Sequence, residues 1–563
     1  MKQLQFTFLL FLTISYSLSA QINEVDWVKN YRLLGSTSEF YGLVADFWVE
    51  ADGNSHLLTA ANSPIAADSV TVVGEVFPTT TLYYFNTNDE GQFIREKTFP
   101  TVTDLSDPEE TQARIAGDNA GNIYIATLYN QAIDLSDSVT LPPPACNCNA
   151  LFIVKLNPEG APVWVKSIET EDGTNLQPAG LGCDAAGNLY LATSTDNNTI
   201  VVDGNTFTNE ADNSQFVLKM DGNGTLIWGK TLEPGSSQAE PYTFSVAPNG
   251  QFALSGDYIN GVNFGNNVVL ESPGVGGGQY VVLYNELGEP QWARSFISDE
   301  YMDILDIDLN NSGSVHLTLD FAGGIQLDGT NILNTGLANF AGCVMILGPT
   351  AFSIPMYATN NNESYVFLGV AVDDSNNYYS GGFLFDETVV IDNNILEFVD
   401  CADAIVATGN PNTPAAAANI GGIGCEGIVN IGYGNTIDVD DAGYLYVSGS
   451  ILEGGAVGGQ FFSGNGVFVA KINTGTSGVA TAPVQTKMLV APNPSSGSFT
   501  VRFDQIPQNG RLSVVDISGK LVFERQNIVS QQVDIQLSVS NGQYILQMTD
   551  NTGTTVHKLT IVR

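Results

Sequence analysis

A motif that recurs seven times constrains the fold more than any other feature of the sequence. Each copy has a polar turn followed by a segment with apolar residues two and four positions after the turn, as in DNAGNIYIAT and DAAGNLYLAT. Successive copies are 63 to 68 residues apart. A spread so narrow indicates seven equivalent structural units. The turn positions are Gly53, Gly121, Gly187, Gly250, Gly313, Asn376 and Gly443.

Each unit has the pattern of four short strands. Period-two alternation after the turn is typical of a strand. In the third unit a strand–turn–strand (200–209), an apolar strand (216–220) and a Trp-containing strand (227–232) follow. Separate sandwiches are excluded, because about 65 residues cannot supply seven strands each. The pattern therefore predicts an all-β chain whose residues 21–474 form a seven-bladed β-propeller.

The ends of the repeat region predict how such a ring closes. The seventh unit has no Trp strand after 468–472, whereas WVKNY at 27–31 resembles the missing segment. We expect residues 26–33 to form the outer strand of the last blade, so that raw strand edges are covered. In the sixth unit, 408–424 replaces the Trp strand, and its register is left open.

These motifs resemble a bacterial β-propeller repeat family with a D-x-x-G-N-x-Y core and a W-x-K strand. The resemblance covers about 27–475 and is strongest in the second, third and seventh units. It implies a propeller fold and no particular activity.

The N-terminus has the layout of a secretory signal peptide. Lys2 precedes an apolar stretch of 13 residues, and small residues follow up to Ala20. A membrane span needs about 20 apolar residues, so residues 1–20 are predicted to be a cleaved signal peptide. No later stretch has the length of a span, and the mature protein is predicted to have no integral membrane segment.

The C-terminal segment differs in composition from the rest of the chain. Residues 488–563 have a net charge of +1, whereas 21–487 hold 12 basic and 55 acidic residues, a net charge of −43. The small and polar segment 475–487 is predicted to be a linker. Alternating apolar runs in 488–563 predict a small sandwich of about seven strands.

Three short motifs mark this segment more specifically. They appear in order as a Pro-Asn-Pro turn with a following Gly, a Gly-Lys turn between strands, and a Gly-Gln-Tyr strand before the final strand. Together they resemble the type A C-terminal sorting domain of the type IX secretion system of Bacteroidota. The resemblance implies export through the periplasm to the outer surface, with the type IX machinery as a partner. The residues that carry it are Pro492, Asn493, Pro494, Gly497, Gly519, Lys520, Gly542, Tyr544 and Lys558.

The acidic net charge and the small numbers of His, Lys and Arg argue against several classes of function. So acidic a chain argues against binding nucleic acid, which needs clustered Lys and Arg. Of three His, His56 and His316 occupy a repeat position that is mostly aromatic elsewhere, and they are predicted to pack inside blades. A sialidase-type propeller is disfavoured by scarce Arg, and Asp118 and its equivalents are predicted to be turn residues. A glycosidase or lyase with an Asp/Glu pair in the propeller cleft stays open.

Metal and disulfide hypotheses are weaker. The spacings Asp306-x-Asp308-x-Asn310 and Asp438-x-Asp440 resemble parts of calcium loops without completing one. No cofactor is predicted to be required, and calcium is retained as a hypothesis.

Six Cys in an exported chain allow up to three disulfides. We predict the pair Cys401–Cys425, because both flank the irregular sixth unit.

The sequence thus favours a secreted or cell-surface protein that binds a glycan or a surface protein without catalysis. Two alternatives stay open, an extracellular carbohydrate-active enzyme and a purely structural surface scaffold.

Overall fold

The structure is a computed structural model in which every regular element among the described residues is a strand. The signal peptide (1–20) and linker (475–487) predictions fall outside the described residues. The described residues are 24–34, 42–67, 70–72, 80–101, 113–145, 149–170, 176–195, 199–209, 214–232, 241–274, 277–335, 340–360, 367–373, 375–384, 388–391, 394–397, 403–410, 413–421, 428–431, 436–452, 454–458, 460–462, 464–474, 488–491, 493, 495–503, 510–516, 520–526, 528, 530, 532–550 and 553–562.

The strands follow the predicted repeat, with short strands separated by tight turns. In chain order they are β1 (Glu24–Leu33), β2 (Gly42–Val49), β3 (Ser55–Ala61), β4 (Ile65–Ala67), β5 (Val70–Val72), β6 (Thr81–Thr87), β7 (Phe93–Pro100), β8 (Ala113–Gly117), β9 (Ile123–Tyr129), β10 (Ile133–Ser136), β11 (Val139–Leu141), β12 (Ala150–Leu156), β13 (Pro162–Thr170), β14 (Leu176–Cys183), β15 (Leu189–Thr195), β16 (Thr199–Val202), β17 (Asn205–Thr208), β18 (Ser214–Met220), β19 (Leu226–Leu232), β20 (Pro241–Val246), β21 (Phe252–Tyr258), β22 (Val262–Gly265), β23 (Val268–Leu270), β24 (Gly278–Tyr284), β25 (Pro290–Ser298), β26 (Tyr301–Leu309), β27 (Val315–Ala322), β28 (Gly324–Leu327), β29 (Thr330–Asn334), β30 (Phe340–Leu347), β31 (Phe352–Asn360), β32 (Gly369–Val372), β33 (Tyr378–Leu384), β34 (Thr388–Ile391), β35 (Asn394–Glu397), β36 (Asp403–Asn410), β37 (Thr413–Gly421), β38 (Ile428–Ile431), β39 (Ile437–Val439), β40 (Tyr444–Leu452), β41 (Gly455–Val457), β42 (Gln460–Phe462) and β43 (Gly466–Asn473).

Six repeats each contribute four antiparallel strands to one sheet, and the seventh contributes three that are joined by β1; we number the sheets by repeat. Sheet 1 is β2-β3-β6-β7, sheet 2 is β8-β9-β12-β13, and sheet 3 is β14-β15-β18-β19. Sheet 4 is β20-β21-β24-β25, sheet 5 is β26-β27-β30-β31, and sheet 6 is β32-β33-β36-β37. Sheet 7 is β39-β40-β43-β1, with β38 also paired to β40. Every one of these sheets is open, and none closes on itself into a barrel.

The hairpin inside a repeat often pairs with the preceding sheet rather than its own. Hairpin β16–β17 of the third repeat extends β13, β28–β29 extends β25, β34–β35 extends β31, and β4–β5 extends β1. These pairings use backbone groups that an outer strand otherwise leaves unpaired. The hairpins β10–β11, β22–β23 and β41–β42 form separate two-stranded sheets.

The N-terminal strand completes the last sheet. β1 runs antiparallel to β43, with Trp27 opposite Lys471 and Tyr31 opposite Val467. The predicted pairing of residues 26–33 with the final strand of the repeat region is therefore confirmed. In sheet 6 the place of the missing Trp strand is taken by β37, which pairs with β36.

Apolar side chains fill the spaces between successive sheets. One cluster joins Leu58 and Tyr84 of sheet 1 to Ile125 and Phe152 of sheet 2, all of them buried. The first strands of successive sheets are in contact, in the order β2, β8, β14, β20, β26, β32 and β39, and β39 contacts β2. The core is thus distributed between sheets, and each sheet is covered on both faces.

The C-terminal segment forms two small sheets around their own core. Its seven described strands are β44 (Met488–Ala491), β45 (Ser498–Phe503), β46 (Arg511–Asp516), β47 (Leu521–Gln526), β48 (Gln532–Gln536), β49 (Gly542–Asp550) and β50 (Gly553–Ile561). The sheets β44-β45-β48 and β47-β46-β49-β50 share one buried cluster, which includes Val501, Leu512 and Leu546. Within the described part of the chain, no helix has the length and hydropathy of a membrane span.

Candidate functional site

The repeated turns hold their shape through a carboxylate at their first position. Asp118 Oδ1 accepts hydrogen bonds from the backbone N–H groups of Ala120 and Asn122, each at 3.0 Å. Gly121 then has a φ of 74°, a left-handed conformation that glycine adopts without strain. Asp184 and Asp373 accept the equivalent pairs of bonds. The prediction that these Asp residues serve the turns is confirmed.

The same carboxylate also anchors a Tyr and a Lys. Tyr190 donates to Asp184 at 3.2 Å, and Lys219 Nζ lies 3.3 Å from Asp184 and 2.5 Å from the Tyr190 hydroxyl. The second repeat places Asp118, Tyr124 and Lys155 in this way, and the seventh places Asp440, Tyr446 and Lys471. We call each group an Asp–Tyr–Lys cluster.

These clusters reach into the next sheet. Lys155 Nζ donates to the backbone oxygen of Gly222 at 2.7 Å, and Trp164 Nε1 donates to the same oxygen at 3.3 Å. Where the first and last strands of the repeat region meet, Trp27 Nε1 donates to Asp89 O at 2.8 Å, and Lys471 pairs with the Asp89 carboxylate. The repeat motifs therefore join neighbouring sheets.

A second set of carboxylates joins the first strands of neighbouring sheets. Asp46 Oδ2 accepts from Ile115 N at 2.7 Å, and Asp438 Oδ2 accepts from Val49 N at 2.7 Å. Each of the two also accepts the N–H that follows it in sequence. These bonds satisfy N–H groups on the first strand of the neighbouring sheet, which we call its inner edge.

Asp306 and Asp308 link sheet 5 to sheet 6 in the same manner. Asp306 Oδ2 accepts from Val370 N at 2.9 Å, and Asp308 Oδ2 accepts from Val372 N at 2.8 Å. Asp308 Oδ1 also accepts from Ser245 Oγ of sheet 4 at 2.8 Å.

Desolvation dominates the titration of these inner-edge groups. Burial raises the pKa of Asp306 well above its usual range, although the Val370 N–H opposes the shift. Burial also raises the pKa of Asp438 to about 7, and the nearby Asp308 adds to the rise. Burial lowers the pKa of Arg114, and the negative charges of Asp46 and Asp306 oppose this shift. Groups from sheets 1, 2, 5 and 7 thus influence one another electrostatically.

The five residues considered for calcium all have hydrogen-bonding roles. Asp306, Asp308 and Asp438 bind backbone N–H groups between sheets, as described above. Asn310 Oδ1 accepts from Ser312 N at 3.0 Å, and Asp440 accepts from Tyr444 N at 2.9 Å. Among the described residues, no three His, Cys, Asp or Glu side chains are grouped to hold a metal ion. Calcium binding stays a hypothesis.

The two repeat histidines are buried, and their surroundings differ. His56 contacts the Tyr84 hydroxyl through Nδ1 at 2.9 Å and Glu50 through Nε2 at 2.8 Å. His316 is fully buried, and neither ring nitrogen makes a hydrogen bond. Burial lowers the pKa of His316 to about 4. Both histidines are packed inside their sheets, as predicted. The sequence did not show that His56 would have hydrogen-bond partners and His316 none.

Of the six cysteines, two lie within the described residues. Cys183 and Cys343 are free thiols, and burial raises the pKa of each. The predicted pair Cys401–Cys425, like Cys146 and Cys148, lies outside the described residues.

An open groove of about 650 Å³ lies at the outer edge of sheet 2. Its walls are β13, the end of hairpin β16–β17 from the third repeat, and the segment after β11. Its apolar lining is formed by Leu141, Pro142, Val165 and Val201, and its polar lining includes Lys166, Ser167, Glu169 and Asp203. We call it the rim groove.

Two polar arrangements contribute to the lining of the rim groove. Lys166 Nζ lies 2.5 Å from Asp203 Oδ2, where Asp203 sits in the hairpin turn with a φ of 50°. In the second arrangement, Glu169 accepts hydrogen bonds from Ala145 N and from Ser167 Oγ, both at 2.9 Å. Ser167 is also bonded to the Tyr129 hydroxyl at 2.6 Å.

Sequence reasoning missed the rim groove for a definite reason. The hairpin at 200–209 was recognised as strand–turn–strand, but alternation does not reveal which outer strand it joins. The Asp203-Gly204 dipeptide is a hairpin-turn signal that predicts the turn and not its neighbour.

In the C-terminal segment, Asn493 ties the start of the domain to its last strand. Asn493 Oδ1 accepts from Thr560 N at 2.8 Å, and its Nδ2 donates to Lys558 O at 2.7 Å. Three other predicted residues of the sorting motif, Pro492, Pro494 and Gly519, lie outside the described residues.

The remaining sorting-motif residues occupy turns and strand starts. Gly497 O accepts from Leu537 N at 2.7 Å, and Tyr544 donates to Ser540 O at 3.0 Å. Lys520 N donates to Asp516 Oδ1 at 3.0 Å, and Gly542 begins β49.

Residues 489–562 match the family model described as the secretion system C-terminal sorting domain. The chain carries a type IX sorting tail. Such a tail indicates a protein that is secreted or held at the outer cell surface, and it implies interaction with the type IX machinery. The predictions of a sorting domain and of this localisation are confirmed.

Similar solved structures are remote from this chain. PorZ, a surface component of the type IX secretion system of Porphyromonas gingivalis, is 10% identical over 93% of this chain and 100% of its own, with a TM-score of 0.21. A PL25 ulvan lyase is 9% identical over 80% of this chain and 94% of its own, with a TM-score of 0.34. These TM-scores do not establish a common fold. No curated protein matches the sequence.

Proposed function

We propose that residues 24–473 form a seven-bladed propeller which, displayed outside the cell by the sorting tail, binds an extracellular ligand without catalysis. The architecture is supported by the unbroken order of contacts between first strands, from β2 through β39 and back to β2. It is also supported by the antiparallel pairing of β1 with β43.

Hydrogen bonds between successive sheets support the same proposal. Sheets 7 and 1 are linked by Asp438, sheets 1 and 2 by Asp46, and sheets 5 and 6 by Asp306. The other neighbouring sheets are linked by hydrogen bonds from Arg114 Nε to Ala179 O, from Ala185 N to Pro248 O, from Ile304 N to Gln279 Oε1, and from Gly458 N to Ile420 O.

The rim groove is the observation that carries the binding function. Polar and apolar side chains line an open volume of about 650 Å³, which is within the usual range for ligand sites, about 300–1,000 Å³. In contrast, the carboxylates on the first strands of the sheets already accept hydrogen bonds from backbone N–H groups of neighbouring sheets. Binding through the groove needs no change in the sheets themselves.

The test is binding of the protein to glycans, surface proteins and whole cells, compared with a variant altered only in the groove. Lys166→Met alters the groove and leaves the Asp–Tyr–Lys clusters intact, because Lys166 belongs to none of them and pairs instead with Asp203 of the hairpin turn. We expect a ligand whose binding is lost in Lys166→Met while the melting temperature changes little. Binding that is equally strong in this variant contradicts the proposal, and release of reducing ends from a bound polysaccharide would identify an enzyme.

A further inference from the structure

Sheet 5 contains two buried side-chain oxygens that make no hydrogen bond. Thr318 and Asp320 are 0% and 1% exposed, and neither Thr318 Oγ1 nor Asp320 Oδ1 has a hydrogen-bond partner among the described residues. The two residues lie two positions apart on one face of β27, with Cα atoms about 7 Å from each other. Buried oxygens of this kind are commonly explained by a bound water or ion.

Asp303 brings a second carboxylate to the same face. It lies directly opposite Asp320 in the antiparallel register of β26 and β27, so both side chains leave the same face of the sheet. Gln279 Nε2 donates to Asp303 Oδ1 at 3.0 Å, and the Tyr301 hydroxyl donates to Asp303 Oδ2 at 2.5 Å. Neither donor carries a positive charge, and like charges directly opposite each other are destabilising.

This face of sheet 5 is turned toward sheet 6. On the other face of β27, Leu317 packs in one cluster with Val281 of sheet 4. On the face of Thr318, the cross-strand neighbour Val344 packs in one cluster with Val370 of sheet 6. The unpartnered oxygens therefore lie inside the body, between two sheets.

The sequence of sheets 5 and 6 supplies no lysine or arginine to balance these carboxylates. Residues 301–421, which span the two sheets, contain 14 Asp and Glu and no Lys or Arg. In sheets 2, 3 and 7 a Lys lies opposite the Tyr of the Asp–Tyr–Lys cluster, whereas Ile346 and Thr408 occupy this register position in sheets 5 and 6. A small inorganic cation can provide the positive charge that these two sheets lack.

We propose that Asp303, Thr318 and Asp320 bind a calcium ion between sheets 5 and 6, an inference that is independent of ligand binding at the rim groove. Calcium takes oxygen ligands, water included, in flexible geometry at about 2.3–2.6 Å, whereas magnesium demands a near-ideal octahedron. Two such bonds span about 5 Å between oxygens, which is compatible with Thr318 and Asp320 two positions apart. Asp303 is half-buried and provides the second carboxylate on the side nearer to solvent.

The experiment is calorimetric titration of the full mature chain with Ca²⁺, after treatment with a chelator and at constant ionic strength. We expect one saturable site in the wild-type chain. Affinity should fall by about tenfold or more in Asp320→Asn, because the number of ligand charges sets the strength of calcium sites. Thr318→Val removes only a hydroxyl that has no partner, so it should weaken binding in a protein that still folds. The matched control is Glu300→Gln, at an exposed carboxylate just before β26, which should bind as the wild type does.

Melting temperature provides a second measurement of the same site. Ca²⁺ should raise the melting temperature of the wild type and of Glu300→Gln, and should raise that of Asp320→Asn much less, because a ligand stabilises the folded state that binds it. Equal responses in all the variants would assign the effect to diffuse screening of the acidic body and would overturn the inference. A wild-type chain without saturable Ca²⁺ binding would overturn it as well. Neither result alters the test of the rim groove with Lys166→Met.

Discussion

His56 and His316 occupy the same position of their repeats, yet only the ring nitrogens of His56 have hydrogen-bond partners. His56 bridges Glu50 and Tyr84, whereas both nitrogens of His316 are buried without a partner. Thr318 and Asp320, on the same face of β27, also have unpartnered buried oxygens. Buried polar atoms without partners lower stability, so this strand is a weak point of sheet 5.

The contrast predicts opposite effects of one substitution at the two sites. His316→Phe removes two unpartnered nitrogens and should stabilise the protein by about 1 kcal/mol, within the range for burying an unsatisfied polar group. His56→Phe removes two hydrogen bonds, leaves the buried Tyr84 hydroxyl unpaired, and should destabilise by about 2 kcal/mol. Urea unfolding of both variants checks this. Equal destabilisation at the two positions would show that His316 has a partner after all.

Asp438 predicts part of the pH dependence of stability. Its folded pKa is raised to about 7, above the value of about 3.9 expected in the unfolded chain. A raised pKa contributes stability that is present below the unfolded value and is lost as pH rises from about 4 to 7. Asp438→Asn should flatten this part of the profile of melting temperature against pH. The control Asp441→Asn, at an exposed neighbour, should leave the slope unchanged, and an unaltered slope in both would refute the assignment.

At the level of single residues, the sequence predicted local roles better than distant ones. The turn role of Asp118 follows from its own neighbours, and the structure confirms it. The partners of Asp306 and Asp438 lie 64 and 389 residues away in the chain. Their spacing suggested metal ligands. The local sequence does not show that these carboxylates accept hydrogen bonds from distant N–H groups instead.

At the level of elements, the Asp–Tyr–Lys clusters are the joints between sheets. In the third repeat the side chains of Asp184 and Lys219 are 6% and 9% exposed, so their ion pair is nearly dry. Lys219 also donates weakly to Glu286 O in sheet 4 at 3.4 Å. A buried charge deprived of its partner is costly, which makes this pair testable.

Lys219→Met should destabilise the protein by about 3 kcal/mol, because the buried Asp184 carboxylate is left without its cationic partner. Lys219→Met combined with Asp184→Asn should recover part of this loss, giving a coupling of about 1 kcal/mol or more in a double-mutant cycle. The measurement is the free energy of unfolding in urea for the four proteins of the cycle. Strictly additive effects would contradict a direct joint between these side chains.

Strands were predictable from the sequence, whereas their outer partners were not. Alternation placed the core strands of each repeat, and the missing Trp strand pointed to β1. The transfer of hairpins such as β16–β17 to the preceding sheet has no local signature, because either outer edge offers the same backbone groups. The rim groove depends on this transfer and was therefore missed.

At the level of the whole molecule, an acidic body is followed by a nearly neutral sorting domain. The body has a net charge of −43 and the segment 488–563 has +1. The two parts have separate apolar cores among the described residues. The change in charge predicted where a separate module begins, the three short motifs identified it as a sorting domain, and the family match over 489–562 confirms it.

The central structural proposal is that the first strand of the chain closes a ring of seven sheets. The most direct measurement is thermal unfolding of a chain that lacks residues 24–33, with and without an added peptide of residues 22–34. We predict that the deletion abolishes the cooperative transition of the body, and that the peptide, but not a scrambled version, restores it. An unchanged transition in the deleted chain would contradict closure by β1.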